Sequence, residues 1–122
     1  MRHFEYGEFA CKCCGRLCPE GMNTKLLEAL DDLREKWGDC VMVSSGYRCP
    51  AHNAEVGGVP NSQHVQGTAA DVYVVSGNYD DFYNLAVSMK RFDGIGRYEA
   101  SEFIHLDMRD NGESPNYYRW EG

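Results

Sequence analysis

Two short runs, Ser62-Gln-His-Val-Gln-Gly-Thr-Ala-Ala-Asp71 and Glu102-Phe-Ile-His-Leu-Asp107, constrain the fold more than any other feature of the chain. His64, Asp71 and His105 are two imidazoles and a carboxylate, the donor set that a catalytic zinc takes while keeping its fourth position open to water. To meet, the loop carrying His64 must turn onto the strand carrying Asp71, and the strand carrying His105 must pair close by. The six residues between His64 and Asp71 allow that turn, with Gly67 as hinge, and Ala69 and Ala70 permit close approach. In an extended chain Ala69, Asp71, Tyr73 and Val75 share one face, as do Phe103, His105 and Asp107.

The rest of the chain supplies elements to hold two such strands. From Asn23 or Thr24 to Trp37, Leu26, Leu27, Leu30 and Leu33 recur at helical spacing, and Gly38-Asp39 stops the helix. Cys40 to Ser44 reads as a short apolar strand and Ala69 to Val75 as a β-branched one. Tyr79 to Met89 has helical spacing at Phe82, Leu85, Ala86 and Met89, with Asp80 and Asp81 in its first turn. Phe92 to Tyr98, with Gly94 and Gly96, predicts a strand or a turn with close backbone approach, and Phe103 to Met108 a further strand. Residues 111 to 122 read as a tail docking through Tyr117, Tyr118 and Trp120. The Gly-, Pro- and Ser-rich stretch from Ser45 to Gly67, with a short helix after Pro50, is too long for a connector and is expected to form the wall of a site. The fold class this predicts is α+β: a small central antiparallel sheet with flanking helices, residues 1–122 forming one domain.

Charge narrows the possible partners. The chain has 19 acidic and 12 basic residues, a net charge of -7, and no Lys/Arg cluster interleaved with aromatics, so nucleic acid is not expected. No apolar run is long enough to span a membrane. Met1 to Glu8 carries no secretory signal, so export would need another route, and the protein is expected to stay cytoplasmic until released. A monomer is the default expectation.

Six cysteines are present, four of them within Cys11-Lys-Cys13-Cys14-Gly-Arg-Leu-Cys18. These closely spaced thiols could hold a structural zinc or form a redox-sensitive knot, or sit reduced or bridged in a turn. They do not make a standard C-x-x-C pair of pairs. Cys40 and Cys49 are expected to be buried near strand ends, or to partner one of the first four. Pairing is not fixed by the sequence.

The remaining polar residues suggest chemistry. Glu102 lies too near His105 in the strand for both to coordinate, and at the strand's mouth it suits a general base that takes a proton from water and hands it to a leaving amine. Arg48, in Ser44-Ser-Gly-Tyr-Arg-Cys-Pro50, suits capture of a substrate carboxylate or an oxyanion, though a surface ion pair is the plain alternative. Ser62 could bind substrate or orient His64. Asp107 is expected to accept a hydrogen bond from a ligand imidazole, or else to pair with Arg48. His3 and His52 are given no metal role; His52 is expected to stabilise its short helix or bond nearby backbone.

These residues resemble the D-Ala-D-Ala carboxypeptidase family of zinc metallopeptidases, which is similar in fold to the hedgehog signalling domain. The family's S-x-H-x-x-G-x-A-x-D and E-x-x-H patterns stand here as Ser62-x-His64-x-x-Gly67-x-Ala69-x-Asp71 and Glu102-x-x-His105, preceded by Ser45-Gly-Tyr-Arg48. The likeness runs from about Val43 to Met108. It implies zinc on His64, Asp71 and His105, Glu102 as catalytic base, Arg48 as substrate or transition-state anchor, and peptidoglycan stem peptides as substrate. It does not fix the bond: a D,D-carboxypeptidase and a phage or host endopeptidase share the motif. The Cys11 to Cys18 run lies outside the match, and the lack of a signal or a wall-binding repeat makes a phage lytic or tail enzyme attractive. A zinc-bearing binding module is the competing class, and Glu102, which such a module would not need, weighs against it.

Overall fold

Residues 4–12, 14–18, 21–56 and 62–122 are described by the computed structural model. Cys13, His3 and part of the predicted site wall, 57–61, lie outside these residues. Asn23 caps the first helix, α1 (Thr24–Trp37), its side-chain oxygen accepting the Leu26 amide at 3.0 Å. Gly38, at φ 79°, ends it, a conformation that costs glycine little. The predicted stripe Leu26, Leu27, Leu30 and Leu33 is buried.

Strand β1 (Val41–Ser45) leads to a short helix α2 (Pro50–Glu55), whose proline sits at the start where a missing N–H costs nothing. Strand β2 (Ala69–Val74) follows, then helix α3 (Tyr79–Met89), capped by Asn78. Strands β3 (Gly94–Tyr98) and β4 (Phe103–Asp107) are joined by a single 3-10 turn, and β5 (Tyr118–Glu121) ends the chain. The sheet order is β1-β2-β4-β3-β5. All neighbours are antiparallel except β3 and β5, which run parallel.

The α+β class and central sheet are as expected. One face of the sheet is apolar: Val72, Ile95, Ile104 and Leu106 pack with Phe82 and Ala86 of α3 and the leucines of α1 in one buried cluster. The period of two along each strand then sends Asp71, His105 and Asp107 to the other face.

Two expectations need correction. Cys40 is exposed rather than buried, because β1 begins at Val41 and leaves Cys40 in the preceding turn. Residues 111–122 do more than dock by their rings, since Tyr118–Glu121 forms hydrogen-bonded strand β5. Asp93, fully buried, positions that strand. Its carboxylate accepts the amides of Asp110, Gly112 and Ser114 at 2.8 to 2.9 Å and so gathers the chain just before β5.

Candidate metal centre

Register brings the predicted ligands together. Asp71 of β2 and His105 of β4 are direct cross-strand partners, and Gly96 of β3 flanks His105 on its other side. His64 arrives from the loop, its backbone tied to the neighbouring loop by the Arg48 amide, which donates to the His64 carbonyl at 3.1 Å. Gly67, at φ 75°, makes the turn between His64 and Asp71. The outcome is three buried donors facing one point: His64 Nε2 lies 3.2 Å and His105 Nδ1 3.0 Å from Asp71 Oδ1.

The far side of each ring decides which proton it carries. His64 Nδ1 lies 2.8 Å from the Gly46 carbonyl, which only accepts, so Nδ1 carries the hydrogen and Nε2 presents a lone pair. His105 Nε2 lies 2.8 Å from Asp107 Oδ2, so its hydrogen points there and Nδ1 presents the lone pair. Two lone pairs and a carboxylate oxygen thus converge, an arrangement that requires a cation at its centre or protons on the rings. Zinc arms of about 2.1 Å in a tetrahedron give ligand separations of about 3.4 Å, close to those found. The donor set therefore fits zinc.

Electrostatics express the same demand. Burial alone would raise the Asp71 carboxyl, but hydrogen bonds and charge from His105 and His64 hold it well below the usual carboxylate range. Burial opposes protonation of His105, yet Asp107 and Asp71 outweigh it and push its pKa up. Asp107 is depressed to about 2, because the His105 and Arg109 hydrogen bonds overcome its burial. The Asp107 carboxylate also accepts Arg109 Nε at 3.1 Å and Nη2 at 2.7 Å. Its partner is Arg109, not Arg48.

Arg48 is half-buried at the same cleft. Its Nε donates to Ser45 Oγ at 3.2 Å, Nη1 to Asn53 Oδ1 at 3.4 Å and Nη2 to Asp71 Oδ2 at 3.4 Å. A guanidinium has five N–H donors, so among the described residues one remains without a partner on each terminal nitrogen. Ser62 accepts the His64 amide at 3.2 Å and also lines the cleft. Its two expected roles are compatible. The cleft measures about 590 Å³.

Glu102 is placed differently from the ligands. Its exposed side chain lines a smaller hollow with Asn78, Tyr79, Asp80 and Glu99, while the next residue, Phe103, lines the cleft. It ends the 3-10 turn at φ 56°.

Arg109, Trp120 and Tyr98 line the cleft and were not singled out from the sequence as site residues. Trp120 faces the His105 ring at 5.1 Å, donates from Nε1 to Tyr98 Oη at 2.9 Å and lies against the Arg109 guanidinium. Gly96 admits this indole, since a Cβ there would stand 2.6 Å from it. The signal for Arg109 was available: it continues the alternation of His105 and Asp107. For Trp120 there was none beyond its aromatic character, because its place depends on the parallel pairing of β5 with β3.

Comparison with known proteins adds an independent finding. A family model described as peptidase M15 matches residues 2–107, most of the chain. No curated protein matches.

Proposed function

Because the chain belongs to the peptidase M15 family, we propose that it is a zinc-dependent peptidase that hydrolyses peptidoglycan stem peptides, of the D-Ala-D-Ala carboxypeptidase type, with residues 1–122 acting as one domain. The observation that carries this reading is the convergence of His64 Nε2, Asp71 Oδ1 and His105 Nδ1, with both opposite ring nitrogens already engaged. Those three would hold the metal. When bound, zinc supplies Lewis acidity, which makes water nucleophilic near neutral pH and polarises the scissile carbonyl.

The chain's own residues supply the rest. Gly46 and Asp107 keep the imidazoles in the ligating tautomer, and outer partners of this kind matter nearly as much as ligands. The two remaining Arg48 N–H groups, one on each terminal nitrogen, suit the two oxygens of a terminal carboxylate and favour the carboxypeptidase reading. Trp120 and Tyr98 give the substrate an apolar wall.

Glu102 takes the proton from the attacking water and returns it to the leaving amine. To do so its side chain turns from the hollow around Asp80 towards the cleft. Being exposed, it gives up no packing in turning. Its backbone supports the role: a left-handed conformation costs a non-glycine residue roughly 1 to 2 kcal/mol, and glycine would make the turn more cheaply.

The test is mass analysis of purified muropeptides incubated with zinc-loaded wild type and Glu102→Ala, with metal content measured for both. Loss of terminal D-Ala by the wild type only, with zinc kept by both, is the expected result. An internal stem cut would replace the carboxypeptidase with an endopeptidase of endolysin type. If neither protein cuts while both hold zinc, a non-catalytic zinc module becomes the better account.

A further inference from the structure

A second cluster of metal-type donors lies away from the cleft residues just described. Cys11, Cys14 and Cys49 bring their Sγ atoms within 4.8 Å of one another. Tetrahedral zinc with sulfur arms of about 2.3 Å needs sulfur separations of about 3.8 Å, so small side-chain adjustments close the set.

The backbone around these thiols is already arranged. Cys11 and Cys14 have C-x-x-C spacing, and their turn is closed by two hydrogen bonds of 2.8 Å, Gly15 N–H to the Cys11 carbonyl and Cys11 N–H to the Arg16 carbonyl. Gly15, at φ 71°, carries the chain away after the second cysteine. The Cys49 amide donates to Cys11 Sγ and the His52 amide to Cys49 Sγ, both at 3.4 Å. His52, whose amide makes that bond, has a buried Nδ1 with no hydrogen-bond partner among the described residues, 3.8 Å from Glu55.

We propose that Cys11, Cys14 and Cys49 bind a structural zinc that clips the N-terminal segment to the loop carrying Arg48. Each thiol gives its proton to solvent as its sulfur–zinc bond forms, and no oxidant is involved. The clip has a clear purpose in the fold. Residues 4–12 and 14–18 hold no place in the sheet, yet they brace the site: the Tyr47 amide donates to the Phe9 carbonyl at 2.8 Å, and a Cβ on Gly46 would stand 2.6 Å from Phe9 Cα. Gly46 is the residue whose carbonyl orients His64. Zinc at the cysteines would fix this brace, whose Phe4, Phe9 and Cys11 are already buried in the core.

Full-length protein prepared under reducing conditions tests the idea by metal counting and cobalt spectroscopy. Wild type should hold one zinc more per chain than Cys14→Ser. Cys14 is exposed, so its replacement leaves the core intact, as circular dichroism would check. The cobalt-substituted protein should show a thiolate-to-cobalt charge-transfer band in the near ultraviolet. That band should persist in His64→Ala, disappear in Cys14→Ser, and survive Cys40→Ser, whose thiol is exposed and outside the cluster. Equal zinc content in wild type and Cys14→Ser, absence of the band, or a mass deficit revealing a disulfide among the three cysteines would each overturn the proposal. A dead peptidase would not, because the cysteine signals do not depend on turnover.

Discussion

Asp107→Asn offers a sharp test of how the His–Asp centre is held. The substitution keeps shape and removes charge, so the fully buried position should stay packed. Its effect follows from the contacts. In wild type both carboxylate oxygens face donors: Oδ1 takes the Arg109 amide at 3.2 Å and Nε at 3.1 Å, while Oδ2 takes His105 Nε2 at 2.8 Å and Arg109 Nη2 at 2.7 Å. An asparagine must turn its NH₂ towards one of these groups. Arg109 cannot accept, whereas His105 can, by moving its hydrogen to Nδ1. That shift places a hydrogen where the lone pair must face the metal. Losing an outer partner of a ligating histidine typically weakens metal binding by about 10- to 100-fold, or roughly 1.4 to 2.7 kcal/mol, and a wrong tautomer puts this variant at the upper end. Zinc affinity should be measured by competition with a chromophoric chelator in a Cys14→Ser background, so that only this centre is titrated. An affinity within threefold of the parent, with the fold intact, would refute the tautomer argument.

Other outcomes can be checked in parallel. Arg48→Lys should raise KM for a peptide with a free terminal carboxylate by about 10- to 100-fold, since charge-assisted hydrogen bonds are worth about 1.5 to 3 kcal/mol; steady-state kinetics that show only a fall in kcat would contradict carboxylate capture. Gly96→Ala drives a methyl into the Trp120 indole and should lower unfolding stability by about 1 to 3 kcal/mol in denaturant titration. The pH dependence of the metal-free protein follows from its shifted groups. Asp71 and Asp107 are depressed, so their contribution is present above the ordinary carboxylate pKa and is lost as pH falls, towards about 2 for Asp107. His105 is raised, so its contribution is complete below the ordinary histidine pKa and disappears as pH rises through its folded value. Thermal scans of chelator-treated protein should therefore peak between about pH 4 and 6.5. Zinc should move that peak upward, because the metal requires the neutral ring; an unmoved peak would argue against zinc replacing the His105 proton.

The parts of this architecture legible in the sequence were those set by local spacing. Leu26, Leu27, Leu30 and Leu33 announced α1 because a helix repeats within a few residues. Strand alternation placed His105 and Asp107 on one face before any partner was known. The approach of His64, Asp71 and His105 was legible as a joint pattern, with Gly67 and two alanines supplying room. Trp120 was not, because nothing near it in sequence encodes a parallel partner more than twenty residues earlier. Cys49 posed the same difficulty. Partnership with one of the first four cysteines was among its expected roles, but which of them it meets depends on how the N-terminal segment folds over the Tyr47 loop. Glu102 was read correctly as lying at the mouth of β4, but strand period does not apply to a residue that ends a 3-10 turn, so its direction could not be read.

The gathering of three amides by Asp93 separates two kinds of change that the protein could undergo. The described residues before Arg109 include the proposed metal donors and their orienting partners, whereas the stretch after it enters the cleft through Trp120 on a strand anchored at one buried carboxylate. Exchanging residues after Arg109 for a stretch with other side chains, Asp93 and its amide contacts retained, would reshape what the cleft admits without disturbing the register of Asp71 against His105. On the proposed function, selectivity would be a graftable cassette and reactivity the fixed chassis beneath it.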